Sequence, residues 1–373
     1  MSGDRARVLT VDPEHSSFDR AQLDRVTALL ERGVEGGVYT GAVALVARAG
    51  RVAYWRAVGR KENAPDPGPP MPRDAVFDLA SVTKVVAGGT ALLTLLEDGL
   101  ATLDDPVSAY IPEFRGRDKE LVRIRHLVGH ISGVQSNPKL HHEHRMWETL
   151  RAAYIGLPLA SVPGRARIYS SINLILLTLI VERLTGRALD ALVRERVIGP
   201  LALSDTSFNP PPEWRPRIPV TEHVTWRDAY DHGVVNDKTA QMMGGVSAHA
   251  GLFSTAWDLA VFCQALLNGG SYGAQRVFGR PTADLFLDRV PAEARSPEPL
   301  CWWRGNAAVF GDLLGPSSLG HTGTTGTALC VVPRLDLAIV LLTNAINPTR
   351  DNPGIASFRP RFFNTVAAAL TDG

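Results

Sequence analysis

The chain has 373 residues, of which 45% are hydrophobic and 21% charged, with 39 Lys and Arg against 38 Asp and Glu. That length supports a sizeable core, as one large domain or two packed lobes. A formal net charge of +1 leaves no basic field for a nucleic-acid backbone and no acidic tail. Three widely spaced cysteines (Cys263, Cys301 and Cys330) suit neither a disulfide framework nor a zinc site and read as core residues.

In chain order, the first twenty residues read as an arm. Asp4, Asp12 and Glu14 lie where a secretory signal would be basic and then apolar, so a cytoplasmic protein is expected. The longest apolar run, Ile172 to Val181, is short of a bilayer span, and no membrane association is expected. A helix fits Asp19 to Glu31, with Leu23, Val26 and Leu30 on one face. Gly41 to Ala47 reads as a buried strand, Arg48 to Arg51 as a turn, and Val52 to Val58 as the partner strand. Asn63 to Arg73 holds five prolines in eleven residues and must be a loop.

An apolar helix is predicted from Ser81 to Glu97, ending at Asp98-Gly99. Beyond it, Ile124 to Gly133 suggests a short helix and turn. His141 to Tyr154 and Asn173 to Leu184 suggest helices, and Asn209 to Pro219 an irregular segment. Ala256 to Asn268 is amphipathic and closed by Gly269-Gly270. Ala328 to Val332 and Leu337 to Thr343 are strands joined at Pro333-Arg334, and a last helix is predicted to begin near Phe358. Strands at both ends with helices between them predict an α/β (α+β) fold. One antiparallel sheet is built from both chain ends and flanked by helices. The expectation is a single domain over 1–373: a sheet lobe of 20–80 plus 250–373, and a mostly helical insert of 81–249.

The chemistry concentrates at Ser81-Val82-Thr83-Lys84. On a helix this spacing stacks a hydroxyl and an amine one turn apart on one face. Serine alone is a poor nucleophile, and a neighbouring lysine lowers the cost of removing its proton. Only five of the 39 basic residues are lysines, which makes Lys84 at this spacing more telling. Two further islands follow: Tyr169-Ser170-Ser171 after the turn at Pro163-Gly164, and His321-Thr322-Gly323-Thr324 ahead of the C-terminal strands.

With Phe77 to Lys84, Tyr169-Ser170 and His321-Thr322-Gly323 in this order, the chain resembles the serine β-lactamase and penicillin-binding-protein superfamily. The likeness is to its class C-like branch of esterases, D-amino-acid peptidases and acyltransferases, and it extends from about Ala21 to Leu370. Leu127 to Gly133 and Gly244 to Thr255 are similar to secondary signatures of that family. The resemblance implies a β-lactamase/transpeptidase-like fold with Ser81 as nucleophile, Lys84 as its activator and Tyr169 as the proton shuttle. It further implies backbone N–H groups of Ser81 and Thr324 as an oxyanion hole. His321 would orient Tyr169 or a substrate carboxylate, and Gly323 would let substrate approach closely.

One departure stands out. Ser171 occupies a place where the family usually has Asn, and presents one hydroxyl where an amide would both donate and accept. Asn173 is two positions too far on to replace it. The departure, with His321 in place of a lysine, favours an ester or thioester of a small molecule. Alternatives are acyl transfer to an amine or alcohol, D-amino-acid peptidase or weak β-lactamase action, and a non-catalytic sensor.

Other residues carry weaker signals. Met146, Trp147 and Tyr154 are candidates for lining the acyl pocket or for the core. On a helix, His141 and His144 of His141-His142-Glu143-His144 would share a face, yet two ligands without HExxH spacing make no metal site. His249 in its glycine-rich turn is a candidate for the site edge, and Asp231-His232 a weaker one. One of Trp302 and Trp303 must face away from any site packed on the sheet. No cofactor fingerprint occurs, so the expected partners are a small-molecule acyl substrate and an acyl acceptor. The sequence leaves oligomeric state open.

Overall fold

The computed structural model describes residues 6–14, 17–136, 138–224, 228–290 and 298–371. Its centre is a seven-stranded sheet drawn from both chain ends. The strands are β1 (Thr10–Val11), β2 (Gly41–Arg48), β3 (Arg51–Gly59), β4 (Trp303–Arg304), β5 (Leu319–Thr322), β6 (Ala328–Val332) and β7 (Leu337–Thr343). Their spatial order is β1-β3-β2-β7-β6-β5-β4. All pairs are antiparallel except β1 with β3, where Thr10 lies opposite Arg51. The N-terminal arm thus contributes an edge strand, which its short polar stretch did not announce.

The unbroken hydrophobic run of β2 has a plain cause: both faces of the sheet are covered. Val43, Leu45, Val340 and Leu342 face the larger core with α6 (Ala256–Leu267) and the helical lobe. Ala44, Val46, Ile339 and Leu341 face a second core formed with α1 (Arg20–Glu35) and α7 (Gly354–Ala367). Alternate residues of one strand point to opposite faces, so neither face can be polar. Cys263 and Cys301 belong to the first core and Cys330 to the second, all three as buried free thiols.

The helical lobe holds α2 (Thr90–Glu97), α3 (Trp147–Gly156), α4 (Ser171–Thr185) and α5 (Lys238–Met242). Helix boundaries in the chain depart from expectation in three places. The nucleophile segment is not one α-helix: Ala80–Val82 is a 3-10 turn, Lys84–Gly89 a wider π turn, and only Thr90–Glu97 is α-helical. Gly88 and Gly89 sit where an added Cβ would lie 2.8 Å from the Ala248 carbonyl oxygen and 2.5 Å from the Phe286 ring. Tight packing on both sides therefore shapes this stretch, and widened turns of this kind recur at functional sites. Ala80–Glu97 as a whole is long and apolar enough to cross a membrane, but 83% of it is buried inside the fold, as in a core helix.

The segment around the histidines is also broken. Leu140–His142 forms one 3-10 turn and α3 starts only at Trp147, so His141 and His144 do not share a helix face. Among the described residues, no group of three or more His, Cys, Asp or Glu is placed to hold a metal. Finally, α7 begins at Gly354, four residues before Phe358. Asn352, whose Oδ1 accepts from the Gly354 N–H at 3.1 Å, fixes that start.

Candidate active site

Asp78 sets the position of Ser81. Its fully buried carboxylate accepts from the backbone N–H groups of Ala80 (2.8 Å) and Asn236 (2.7 Å). Ala80 adopts a left-handed φ of 46°, a strained state that the surrounding bonds hold in place. Burial pushes the Asp78 carboxyl up to about 6, against those two N–H groups. The turn delivers Ser81 to the floor of a cavity of about 610 Å³. One helical turn on, the fully buried Lys84 donates from Nζ to Ser81 Oγ at 2.9 Å and to the His249 carbonyl at 3.0 Å.

Tyr169 lines the same cavity, and Lys84 Nζ lies 5.2 Å from its ring centroid. Ser170 caps α4, accepting from Ile172 N–H, which places Tyr169 just outside the helix. The Tyr169 ring is clamped by His130 (centroids 4.6 Å apart), His321 (6.0 Å) and Trp303 (6.0 Å). His130 Nδ1 accepts from Ser170 N–H at 3.3 Å and lies 3.1 Å from Asn173 Nδ2. Asn173 Oδ1 accepts from Ser132 Oγ at 2.6 Å, so the buried Asn173 braces the clamp and does not line the cavity.

The wall opposite the helical lobe is the turn between β5 and β6. Thr325 Oγ1 donates to the Asp78 carbonyl (2.8 Å) and Thr327 Oγ1 to that of Leu79 (3.0 Å), locking this turn onto the nucleophile turn. Thr322, Gly323 and Thr324 line the cavity. Arg359, on α7, donates from Nη2 to the carbonyls of Gly323 (2.7 Å) and Thr327 (3.2 Å). Burial lowers the Arg359 guanidinium to about 10, and no carboxylate among the described residues pairs with it. The turn and the buried Arg359 cation thus line the same cavity as Ser81.

A Cβ at Gly323 would lie 2.5 Å from the Leu79 carbonyl oxygen and 2.2 Å from Thr327 Oγ1. Gly323→Ala must push the turn off the nucleophile segment. The expected result is a drop of ~10²–10³ in kcat with KM less affected, as on losing one oxyanion donor. Steady-state kinetics on an activated ester would check it, and unchanged kcat would show the turn to be passive.

The other expected site residues fall as follows. Ser171 and Trp303 line the cavity, while Trp302 is buried against Phe286, the division of the Trp pair that strand geometry requires. Trp147 is half-buried off the cavity, and Tyr154 takes the lining place. His321 is wholly buried and is not part of the cavity wall. Its Nδ1 donates to the Thr322 carbonyl at 2.8 Å, and it touches Tyr169 by ring contact without a hydrogen bond. Burial, then the nearby Lys84 charge, lowers the His321 ring to about 3. A neutral, buried imidazole cannot grip a substrate carboxylate. Asp231 pairs with Lys238 at 3.1 Å and His232 with the 215–218 turn, both outside the cavity.

His249 does reach the site, through its carbonyl on Lys84. Asp237 and Arg359 went unread in the sequence, each an isolated polar residue in a stretch with no motif and far along the chain from Ser81; His130 lies within the Leu127 to Gly133 signature, where no role was read for it.

The chain has known relatives. The sequence profile of the Beta-lactamase family matches residues 26–359. The chain belongs to that family. Members of the family are serine hydrolases and acyltransferases. A Salmonella typhi protein named D-alanyl-D-alanine carboxypeptidase is 32% identical, covering 93% of this chain and 88% of its own length. Among solved structures, EstCE1, described as a hydrolase with promiscuous acyltransferase activity, superposes with a TM-score of 0.72 at 21% identity, covering 93% of this chain and 99% of its own. Simvastatin synthase (LovD) from Aspergillus terreus gives 0.72 at 19% identity, with 94% and 99% covered. A family VIII carboxylesterase gives 0.70 at 18% identity, with 94% and 98% covered. These structures establish the β-lactamase fold for the chain.

Proposed function

We propose that the protein is a serine acyl hydrolase that cleaves a carboxylic ester or thioester of a small molecule through an acyl-enzyme on Ser81. The observation that carries this reading is the 2.9 Å contact from Lys84 Nζ to Ser81 Oγ at the cavity floor. The Lys84 charge favours the developing alkoxide, and Ser81 Oγ bonds to the substrate carbonyl carbon. Tyr169 receives the serine proton as it passes a proton to the departing alcohol or thiol. Backbone N–H groups of Ser81 and Thr324 hold the tetrahedral oxyanion. Water then attacks the acyl carbon, its proton returns through Tyr169 to Ser81 Oγ, and the acid is released.

The single hydroxyl of Ser171 at the cavity wall supports an ester over an amide, which would gain more from a side-chain amide at that place. A second reading, peptidase action on a D-amino-acid peptide, is favoured by the name of the 32%-identical relative.

Intact-protein mass spectrometry separates these readings. Wild type exposed to activated esters, thioesters, a D-alanyl-D-alanine peptide and a penicillin should gain an acyl mass from the esters and lose it in water. Ser81→Ala should gain none. Adducts that clear only when an amine or alcohol is added would make the protein a transferase. Adducts from the peptide or penicillin alone would favour the peptidase. An equal adduct on Ser81→Ala would refute the nucleophile.

A further inference from the structure

Asp237 stands on the helical-lobe wall of the cavity that holds Ser81. It caps α5: its Oδ1 accepts from Ala240 N–H at 2.9 Å and faces His249 Nε2 at 3.0 Å. His249 is itself buried and fixed, with Nδ1 2.7 Å from Ser247 Oγ and its carbonyl on Lys84 Nζ. With its other nitrogen on a hydroxyl, the His249 ring donates to the carboxylate. All this engages one oxygen of Asp237. The second, Oδ2, makes no hydrogen bond or ion pair to the described residues, and 38% of the side chain is exposed, on the cavity side.

The cations around it do not neutralise it. Lys238, next in the chain, is drawn to Asp231 at 3.1 Å, and Arg350 to Glu222 at 2.6 Å. Lys139, His141 and Arg359 line the cavity, but none of them pairs with Asp237, and Arg359 is held by the Gly323 and Thr327 carbonyls. Burial raises the Asp237 carboxyl, and the His249 ring, the Ala240 N–H and the Lys84 charge more than offset that, so it stays well below the usual carboxylate range. Beside it, Tyr154 Oη and Thr239 Oγ1 pair at 3.1 Å on the same wall. A helix cap and a counter-charge for Lys84 need only the oxygen already engaged. Asp237 lines the space a substrate must occupy, with that oxygen unengaged by the described residues.

We infer that Asp237 recognises an ammonium group on the acyl substrate, so that the preferred substrates are small aminoacyl esters or their amide counterparts. The inference rests on the Ser81 acyl-enzyme reading and names its substrate class. An ammonium donates to the free Oδ2 in a charge-assisted bond, in a cavity where partial exclusion of water strengthens it. A neutral or anionic acyl group of the same length leaves that oxygen to water or repels it.

The test compares p-nitrophenyl esters of β-alanine, butyrate and N-acetyl-β-alanine. Each kcat/KM is normalised to the ester's spontaneous hydrolysis, on wild type and Asp237→Asn. Asn is nearly isosteric and still accepts from Ala240 N–H. Wild type should favour the β-alanyl ester over the butyryl ester by about tenfold or more, the scale of one charge-assisted contact. Asp237→Asn should bring that ratio near one, whatever happens to absolute rates. If Asp237 served only to hold His249 and Lys84, all three esters would slow together and the ratio would persist, overturning the inference. A wild-type ratio near one would overturn it too. As a second measurement, n-propylammonium should inhibit butyryl ester cleavage by wild type and not by Asp237→Asn; equal inhibition counts against the proposal. Failure of all three esters to acylate Ser81 would instead fall on the acyl-enzyme reading.

Discussion

Lys84→Met should lower kcat/KM for ester cleavage by ~10³-fold or more while leaving the fold intact. Methionine matches the length of the lysine stem and suits a site with no solvent exposure. It cannot donate to Ser81 Oγ or to the His249 carbonyl, both of which Lys84 contacts within 3.0 Å. The serine then faces its substrate without the charge that favours its alkoxide. The His249 carbonyl loses a partner inside the protein, which costs about 1–3 kcal/mol of stability. Stopped-flow acylation beside a thermal melt would separate the two effects. Tyr169→Phe supplies a control: it keeps the ring clamped by His130, His321 and Trp303 and removes only the hydroxyl. Its kcat/KM should fall ~10²-fold or more with little change in melting temperature. Retention of activity within tenfold in Lys84→Met would make the lysine a packing residue.

Acidification should destabilise the wild type more than a variant lacking the His321 ring. The imidazole is neutral in the fold, lowered to about 3, whereas in the unfolded chain it titrates near 6.5. Between these values the unfolded chain binds one more proton than the native protein. Stability from this group is therefore complete above pH 6.5 and is lost as pH falls toward 3, by about 1.4 kcal/mol per unit. His130, also lowered by burial and the Lys84 charge, acts in the same direction.

Asp78 and Asp258, both raised by burial to about 6, act oppositely over roughly pH 4 to 6, where the native state binds more protons. Their contribution is common to wild type and His321→Asn, so the comparison isolates His321. From pH 7 to pH 5 the variant should lose about 2 kcal/mol less stability than wild type in denaturant titrations. Parallel pH curves would show that the ring is protonated in the native state or solvated through it.

The sequence alone determined the parts of this protein that local pattern dictates. The β2–β3 hairpin, β6 and β7 were legible because buried strands must be continuously apolar and their turns need Gly or Pro. The Leu23, Val26 and Leu30 stripe likewise announced α1, which in the fold starts at Arg20 behind an Asp19 cap and runs on to Glu35. Ser81 and Lys84 were read from a helical spacing that stacks hydroxyl and amine, whereas Tyr169 was read only through the resemblance to the family. The cavity contains Ser81 and Tyr169, with Lys84 beneath Ser81.

The rest was decided by tertiary structure. The widened turn at Lys84–Gly89 ends where Gly88 and Gly89 leave no room for a side chain beside Ala248 and Phe286, contacts no local propensity encodes. His321 looked like a substrate ligand in its motif, but its surroundings make it a neutral core ring, because burial penalises its charged form. Asp237 and Arg359 carry no motif, and His130 sits in a signature that gives it no role. Their electrostatic character arises only when Lys84, His249 and the 323–327 turn are folded around them, since the field at a charge depends on distance in space and on the water excluded there.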